Sequence, residues 1–287
     1  MNALNNKIIL VTGATGKQGG ATARQLLKSG VKVRALTRKP ESKNAKALQA
    51  LGAEIVKANL NDSASLDKAM QDVYGVFCVT NFWEFGTGKK ELTQSQNLAD
   101  SAKRHNIQHF VLASIARCDD NPNLAHFVTK YEAEKYIHSA GLPFTFLRTV
   151  YFMDNLKPGT EGYALHWAFM AEYLGNTSSI QMISCEDIGW FAAHAFTHPE
   201  EWKNRTIDIA GDEVTYSKAM KTFEKIMGNK PKHSYFMLKM ACWMMTEIRK
   251  MFEWYREPRF HAKITELRKI HPELMTLEEY FNRVKCM

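Results

Sequence analysis

Residues 7–20 read KIILVTGATGKQGG, a β-branched apolar run that opens into a loop with a glycine at every third position. The run 7–12 has the composition of a buried strand, and 17–29 that follows has the amphipathic spacing of a helix. Between them Gly13, Gly16 and Gly19 answer two demands of such a junction. The tight turn needs unusual backbone angles, and close approach of a phosphate leaves no room for a side chain. The helix then offers unpaired N–H groups and a partial positive charge to that phosphate. The loop Gly13, Ala14, Thr15, Gly16, Lys17, Gln18 and Gly19 is therefore expected to bind a dinucleotide.

Outward from this loop the same unit repeats. KVRALT (32–37), AEIVKA (53–58), GVFCVT (75–80), HFVLAS (109–114) and FTFLRT (144–149) read as strands, with amphipathic segments 44–51, 63–71, 91–104 and 128–139 between them. Most of these strands are apolar on both faces, as happens when helices cover both sides of a parallel sheet. The expected fold class is α/β, a doubly wound parallel sheet of the NAD(P)-binding Rossmann type. Residues 1–153 are expected to form that domain, with 180–210 returning to it through strands 179–184 and 205–211 around a helix 186–198. A smaller, mainly helical lobe is expected from 154–179 and 211–287. Its stretch 236–255, FMLKMACWMMTEIRKMFEWY, reads first as a helix laying an apolar stripe on the core, and alternatively as the lining of an apolar substrate site or partner groove.

The second strand bears on the choice of cofactor. NAD-binding sites place Asp or Glu about 20 residues beyond the glycines, against the ribose hydroxyls. Here that strand ends in Thr37, Arg38 and Lys39 with no carboxylate. A guanidinium fork suits a phosphate, so NADP(H) is expected, with Lys43 adding charge nearby. Asn59, with Leu60 beside it, follows the third strand and is placed to face the adenine.

Charge agrees with a small polyanion. The chain of 287 residues carries +8, and residues 1–40 hold eight Lys or Arg and no acid. No helix strings basic residues along one face with interleaved aromatics, so direct nucleic-acid binding is not expected. Five cysteines, Cys78, Cys118, Cys185, Cys242 and Cys286, are odd in number and lack a CxxC pair, which argues for reduced thiols and against a zinc site. No apolar run reaches the roughly 20 residues that cross a bilayer, and the first residues lack the pattern of a signal peptide. A cytoplasmic protein without a membrane partner is expected, as monomer or homodimer.

In order along the chain, VTGATGKQGG, LTRKP, GAEIVKANLND, GVFCVTNFWE, GLPFTFLRTVYFMDN, CEDIG, IAGDEVT and HPELMTLEEYF resemble the NmrA-like family, atypical members of the short-chain dehydrogenase/reductase superfamily. The resemblance spans nearly the whole chain. It implies that Thr80, Asn81 and Phe82 flank the cofactor and that Phe152 and Asn155 lie beside its nicotinamide end. Asn59 stands where many members have Asp. Relatives include NADPH-sensing regulators and reductases of quinones and isoflavone-type substrates.

The segment HFVTKYEAEK (126–135) contains the spacing of a catalytic Tyr-x-x-x-Lys pair twice, as His126/Lys130 and as Tyr131/Lys135. The two frames lie about 140° apart around a helix, so one of them faces the cofactor. The resemblance selects Lys130, because Glu134, the GLP turn at 141–143 and Arg148 follow it in the family's order. His126 then stands at the usual Tyr position, and Ser114 at the position of the substrate-orienting hydroxyl. Histidine ordinarily titrates near pH 6.5, so at neutral pH it is mainly an uncharged and poor proton donor. Two functions follow as expectations. One is an NADP(H)-binding sensor that signals to a regulatory protein partner. The other is an NADPH-dependent reductase of a small apolar quinone or conjugated carbonyl, whose product water can protonate.

Overall fold

The computed structural model describes residues 4, 6–84, 88–120 and 123–286. Among these residues ten strands are formed: β1 (Ile8–Val11), β2 (Lys32–Thr37), β3 (Glu54–Lys57), β4 (Val73–Cys78), β5 (His109–Ile115), β6 (Phe144–Thr149), β7 (Tyr151–Phe152), β8 (Ser179–Ile183), β9 (Arg205–Ile209) and β10 (Asp212–Thr215). The helices are α1 (Lys17–Lys28), α2 (Lys43–Ala50), α3 (Ser63–Ala69), α4 (Gly88–Arg104), α5 (Ala125–Ser139), α6 (Tyr163–Phe169), α7 (Cys185–Thr197), α8 (Pro199–Trp202), α9 (Tyr216–Met227), α10 (Tyr235–Met244), α11 (Thr246–Trp254), α12 (Ile264–Ile270) and α13 (Leu277–Lys285). The chain divides into two units. The first comprises residues 1–119, 125–148 and 188–207, and the second 120–124, 149–187 and 208–287.

The first unit carries a seven-stranded sheet in the order β3-β2-β1-β4-β5-β6-β9. The pairings β3–β2, β2–β1, β1–β4 and β4–β5 are parallel. This is the doubly wound order, and its direction of winding reverses between β1 and β4. One face is covered by α3, α4 and α5, whose Leu66, Leu98, Ala102, Ala133 and Ile137 pack on Leu10, Val76, Phe110 and Phe146 of the strands. On the other face α1 and α7 cross so closely that a Cβ on Gly189 would stand 2.6 Å from the carbonyl carbon of Ala21. Phe196 of α7 presses on Gly75 of β4, where a Cβ would come within 2.8 Å of its ring. Both faces are thus buried, which accounts for the apolar strands in the sequence.

In the second unit β8 pairs in parallel with β7 and antiparallel with β10, a separate three-stranded sheet. Of the two segments read as returning strands, β9 joins the large sheet and β8 belongs to this small one. Strand β7 has two residues, too short to leave an alternation in the sequence.

The stretch 236–255 departs from its first reading as a continuous core stripe. Phe252 stacks on Phe169 at 4.1 Å and Tyr255 packs by Tyr151 and Phe169, so the later half is core. In α10, by contrast, Leu238 is the buried residue and the large apolar side chains around it are exposed. An extended residue, Met245, separates α10 from α11 and lets the two helices present different faces.

Candidate functional site

Thr12 closes the sheet where its winding reverses. Its hydroxyl donates to the carbonyl oxygen of Val79 at 3.0 Å and accepts from the Val79 N–H at 2.8 Å, tying the end of β1 to the end of β4. The chain then turns through Gly13, at φ +56°, where a Cβ would meet the Val79 side chain at 2.7 Å. Helix α1 begins with Gly16 as its N-cap. It has no capping side chain and no acid in its first turn. Neither a capping side chain nor an acid therefore competes with an anion for the positive end of this helix. Gly19 lies against the turn so tightly that a Cβ would stand 2.4 Å from the Gly13 carbonyl oxygen.

Beside this cradle is a cavity of about 320 Å³, made within the first unit by the carboxyl ends of β1 to β4. Gly13 and Thr15, Thr37, Arg38 and Lys39, Asn59 and Leu60, and Thr80 and Asn81 line it, each pair or triplet from a different strand end. The glycine cradle, the uncapped helix and this cavity together fit a dinucleotide.

Sequence reasoning did not single out four further polar lining residues: Ser42, Asn44, Glu84 and Gln94. Ser42 caps α2 by accepting from Ala45 N, and Asn44 donates to the Thr15 carbonyl at 2.9 Å, pinning the glycine loop to the next helix. A serine followed by a helical run is a readable capping signal. Glu84 is more consequential, because its carboxylate pairs with the Arg38 guanidinium. It comes from the short turn Phe82–Glu84 after β4, 46 residues along the chain, and no local pattern connects the two. A phosphate arriving at Arg38 has to share or displace this carboxylate. Asn59 and Asn81 use their side-chain oxygens in local turns, accepting from Asn61 N and Trp83 N.

Ala14, Gly16, Lys17, Gln18 and Gly19 belong to the turn and first turn of α1, and Ala14 is buried. Phe82 is buried with its ring 5.6 Å from that of His126. Phe152 and Asn155 fall in the second unit, on β7 and the turn after it.

The two helical frames separate clearly on α5. Lys135 lies over the Tyr131 ring and pairs with Glu132, away from Lys130. Lys130 is buried, and its ammonium lies 2.9 Å from a Glu91 carboxylate oxygen and 2.9 Å from the Thr80 hydroxyl, with the Thr80 carbonyl at 3.5 Å. Glu91 also accepts from the hydroxyls of Thr80 at 3.0 Å and Thr129 at 2.6 Å. Burial by itself would raise the Glu91 carboxyl. The Lys130 ammonium and these hydrogen bonds outweigh it and hold the group below the ordinary glutamate value. His126 is 5% exposed, with its ring among Phe82, Trp83 and Phe127.

Ser114 is tied to a second carboxylate. Its hydroxyl donates to Glu134 at 2.5 Å, and Glu134 receives both Nε and Nη2 of Arg148, at 3.0 and 2.7 Å. Arg148 reaches on to Asp119 at 2.8 Å. Burial, with Glu134 beside it, pushes the neighbouring Cys118 thiol up to about 12, so it offers no thiolate nucleophile. Chemically, the cluster binds and orders. The ammonium at Lys130 and the hydroxyl at Ser114 are both bound to buried acids.

The NmrA-like family model matches residues 5–281. The chain is 29% identical over 257 residues to the NmrA-like family domain-containing oxidoreductase lnbB of Aspergillus flavus, covering 79% of this chain and 75% of that one. In structure it is similar to NmrA, a negative transcriptional regulator in complex with NADP, with a TM-score of 0.80, 19% identity, and 98% and 95% of the two chains covered. It is also similar to the NADPH-dependent quinone oxidoreductase QOR2 of Escherichia coli complexed with NADPH, with a TM-score of 0.78, 20% identity, and coverage of 96% and 99%. At that identity the two structures speak for the fold.

Proposed function

The chain belongs to the NmrA-like family, and from that premise we propose that it binds NADP(H) at the β1–β4 switch point and acts as a cofactor-responsive regulator. The observation that carries this reading is the pairing of Lys130 with Glu91 and of Ser114 with Glu134. A dehydrogenase needs its lysine and serine turned toward cofactor and substrate. Here both polar groups are bound to buried acids, and a histidine among aromatic rings stands where the tyrosine would be. Binding groups are intact and proton-transfer groups are occupied, which suits a protein that senses the cofactor and presents that state to a protein partner. The NADP named in the NmrA complex supports the same cofactor.

A second reading, an NADPH-dependent reductase of a quinone or conjugated carbonyl, draws on the oxidoreductase name of lnbB and the activity named for QOR2. Hydride transfer to a quinone does not require a side-chain acid. The two readings separate in one experiment. NADPH binding is confirmed by quenching of protein fluorescence, and NADPH absorbance is then followed with a panel of quinones, His126→Phe alongside. The regulator reading expects bound NADPH and no quinone-dependent oxidation in either protein. Rapid oxidation overturns it, and whether His126→Phe abolishes that oxidation tells whether the histidine is the acid.

Cofactor choice is testable at the adenosine end. Arg38→Ala is expected to weaken NADPH about tenfold, the worth of one charge-assisted hydrogen bond at an exposed site, and to leave NADH nearly unchanged. Glu84→Gln is expected to act in the opposite direction and tighten NADPH, because a carboxylate no longer competes for the guanidinium. Calorimetric titration of both cofactors measures this, and equal losses for the two in Arg38→Ala would remove Arg38 from phosphate recognition.

A further inference from the structure

Among the described residues the exposed large apolar side chains concentrate on one short stretch, and seven of the ten lie between Tyr235 and Met245. Helix α10 rests on Leu238, 3% exposed. At about 100° per residue, Phe236, Met240, Trp243 and Met244 fall on the side away from Leu238. Phe236 is 76% exposed and Trp243 is 84% exposed, so they project from the surface of the second unit instead of lining a depression in it. An exposed apolar face this concentrated calls for an occupant.

The charge around the face says which kind. Residues 230–250 hold five basic side chains, Lys230, Lys232, Lys239, Arg249 and Lys250, against the single acid Glu247. Lys230, Lys232, Lys239 and Arg249 are exposed, and none of the four is ion-paired among the described residues. A second copy docked by two-fold symmetry would set this basic rim against itself. Trp and Phe projecting from a helix with a cationic rim are instead the composition that seats at the headgroup–acyl boundary of a negatively charged bilayer. We propose that α10 is a peripheral docking surface for anionic lipid, with Phe236 and Trp243 entering the boundary and Lys232 and Lys239 holding headgroups.

This contact lies on the surface and needs no spanning segment. Among the described residues no helix is long and apolar enough to cross a membrane. The sequence reading expected no membrane partner, and the proposal departs from it in placing a peripheral one on this surface. The inference does not depend on whether the bound cofactor is turned over.

Sedimentation of the full chain with vesicles tests it, using equal parts phosphatidylcholine and phosphatidylglycerol against pure phosphatidylcholine. Binding is expected to the mixed vesicles and to weaken with salt. Phe236→Ser/Trp243→Ser and Lys232→Glu/Lys239→Glu are each expected to lower it about tenfold or more. Because these side chains are exposed, thermal melts of both double variants should match the parent. Absence of binding to the mixed vesicles, or equal binding by the Phe236→Ser/Trp243→Ser protein, overturns the proposal. So does light scattering that shows a parent dimer which this variant converts to monomer, since a second copy then covers the face.

Discussion

Gly19→Ala is expected to weaken NADPH binding about a hundredfold while leaving a folded protein. The added Cβ would lie 2.4 Å from the Gly13 carbonyl oxygen and 2.5 Å from both the Gly13 carbonyl carbon and the Thr12 carbonyl oxygen. All three are backbone atoms, so no rotamer change relieves the contact, and α1 has to move away from the turn. Overpacking of this kind costs about 1–3 kcal/mol, a fall of roughly 5 °C in Tm. Binding suffers more, because at the proposed site the phosphate would be held by the turn and the first turn of α1 together. Losing two charge-assisted hydrogen bonds of about 1.5 kcal/mol each is about a hundredfold in Kd.

Gly30→Ala is the control for a general glycine effect. Gly30 is at φ +73°, but a Cβ there meets nothing within 4 Å. It should lose about 1–2 kcal/mol for the left-handed backbone and retain its cofactor affinity. Isothermal titration and thermal melts on the two variants decide the matter. Wild-type affinity in Gly19→Ala would show that the glycine loop is a packing feature and not the phosphate site.

What was legible in the sequence is what is local. The glycine loop, the ends of β2 and β3 and the alternation of strand and helix are written in consecutive residues, so the fold and the glycine turn at its switch point could be read together. Glu84 could not be read, because it meets Arg38 across 46 residues through a turn with no pattern of its own. The same holds for Lys130 with Glu91 and for Ser114 with Glu134 and Arg148. The resemblance to known proteins selected the lysine, but nothing in the spacing says that its charge is already matched. Helix α10 shows a different limit. An apolar helix face announces that something covers it, and the default occupant is the chain's own core. Met245 turns the chain there, so Phe252 is buried while Trp243 stands out.

The largest stability effect is expected at Lys130. Changing it to Met removes the cation from a carboxylate whose side chain is 2% exposed, and an uncompensated buried charge costs about 3–5 kcal/mol. A loss of NADPH binding in this variant is therefore not by itself evidence of a contact with the cofactor. Lys130→Met/Glu91→Gln separates the two effects. The amide keeps an acceptor for the hydroxyls of Thr80 and Thr129 and carries no charge, so most of the lost stability should return. If the double variant is stable and still binds NADPH weakly, Lys130 touches the cofactor. If binding returns with stability, its role is to neutralise Glu91.

The pH dependence supplies a sign that unspecific destabilisation does not share. In the parent, Glu91 is held below its ordinary value of 4.5. The unfolded chain then binds more protons than the folded one. Its contribution to stability is complete above pH 4.5 and is lost as pH falls through the folded value. In Lys130→Met the ammonium is gone and burial pushes the same carboxyl up, so the folded chain takes the proton first. That variant should gain stability relative to the parent as pH is lowered from 7 toward 5, recovering part of the deficit of about 3–5 kcal/mol. Urea denaturation across this range reads the slope, and parallel curves for parent and variant would mean that Glu91 is not the charge Lys130 answers.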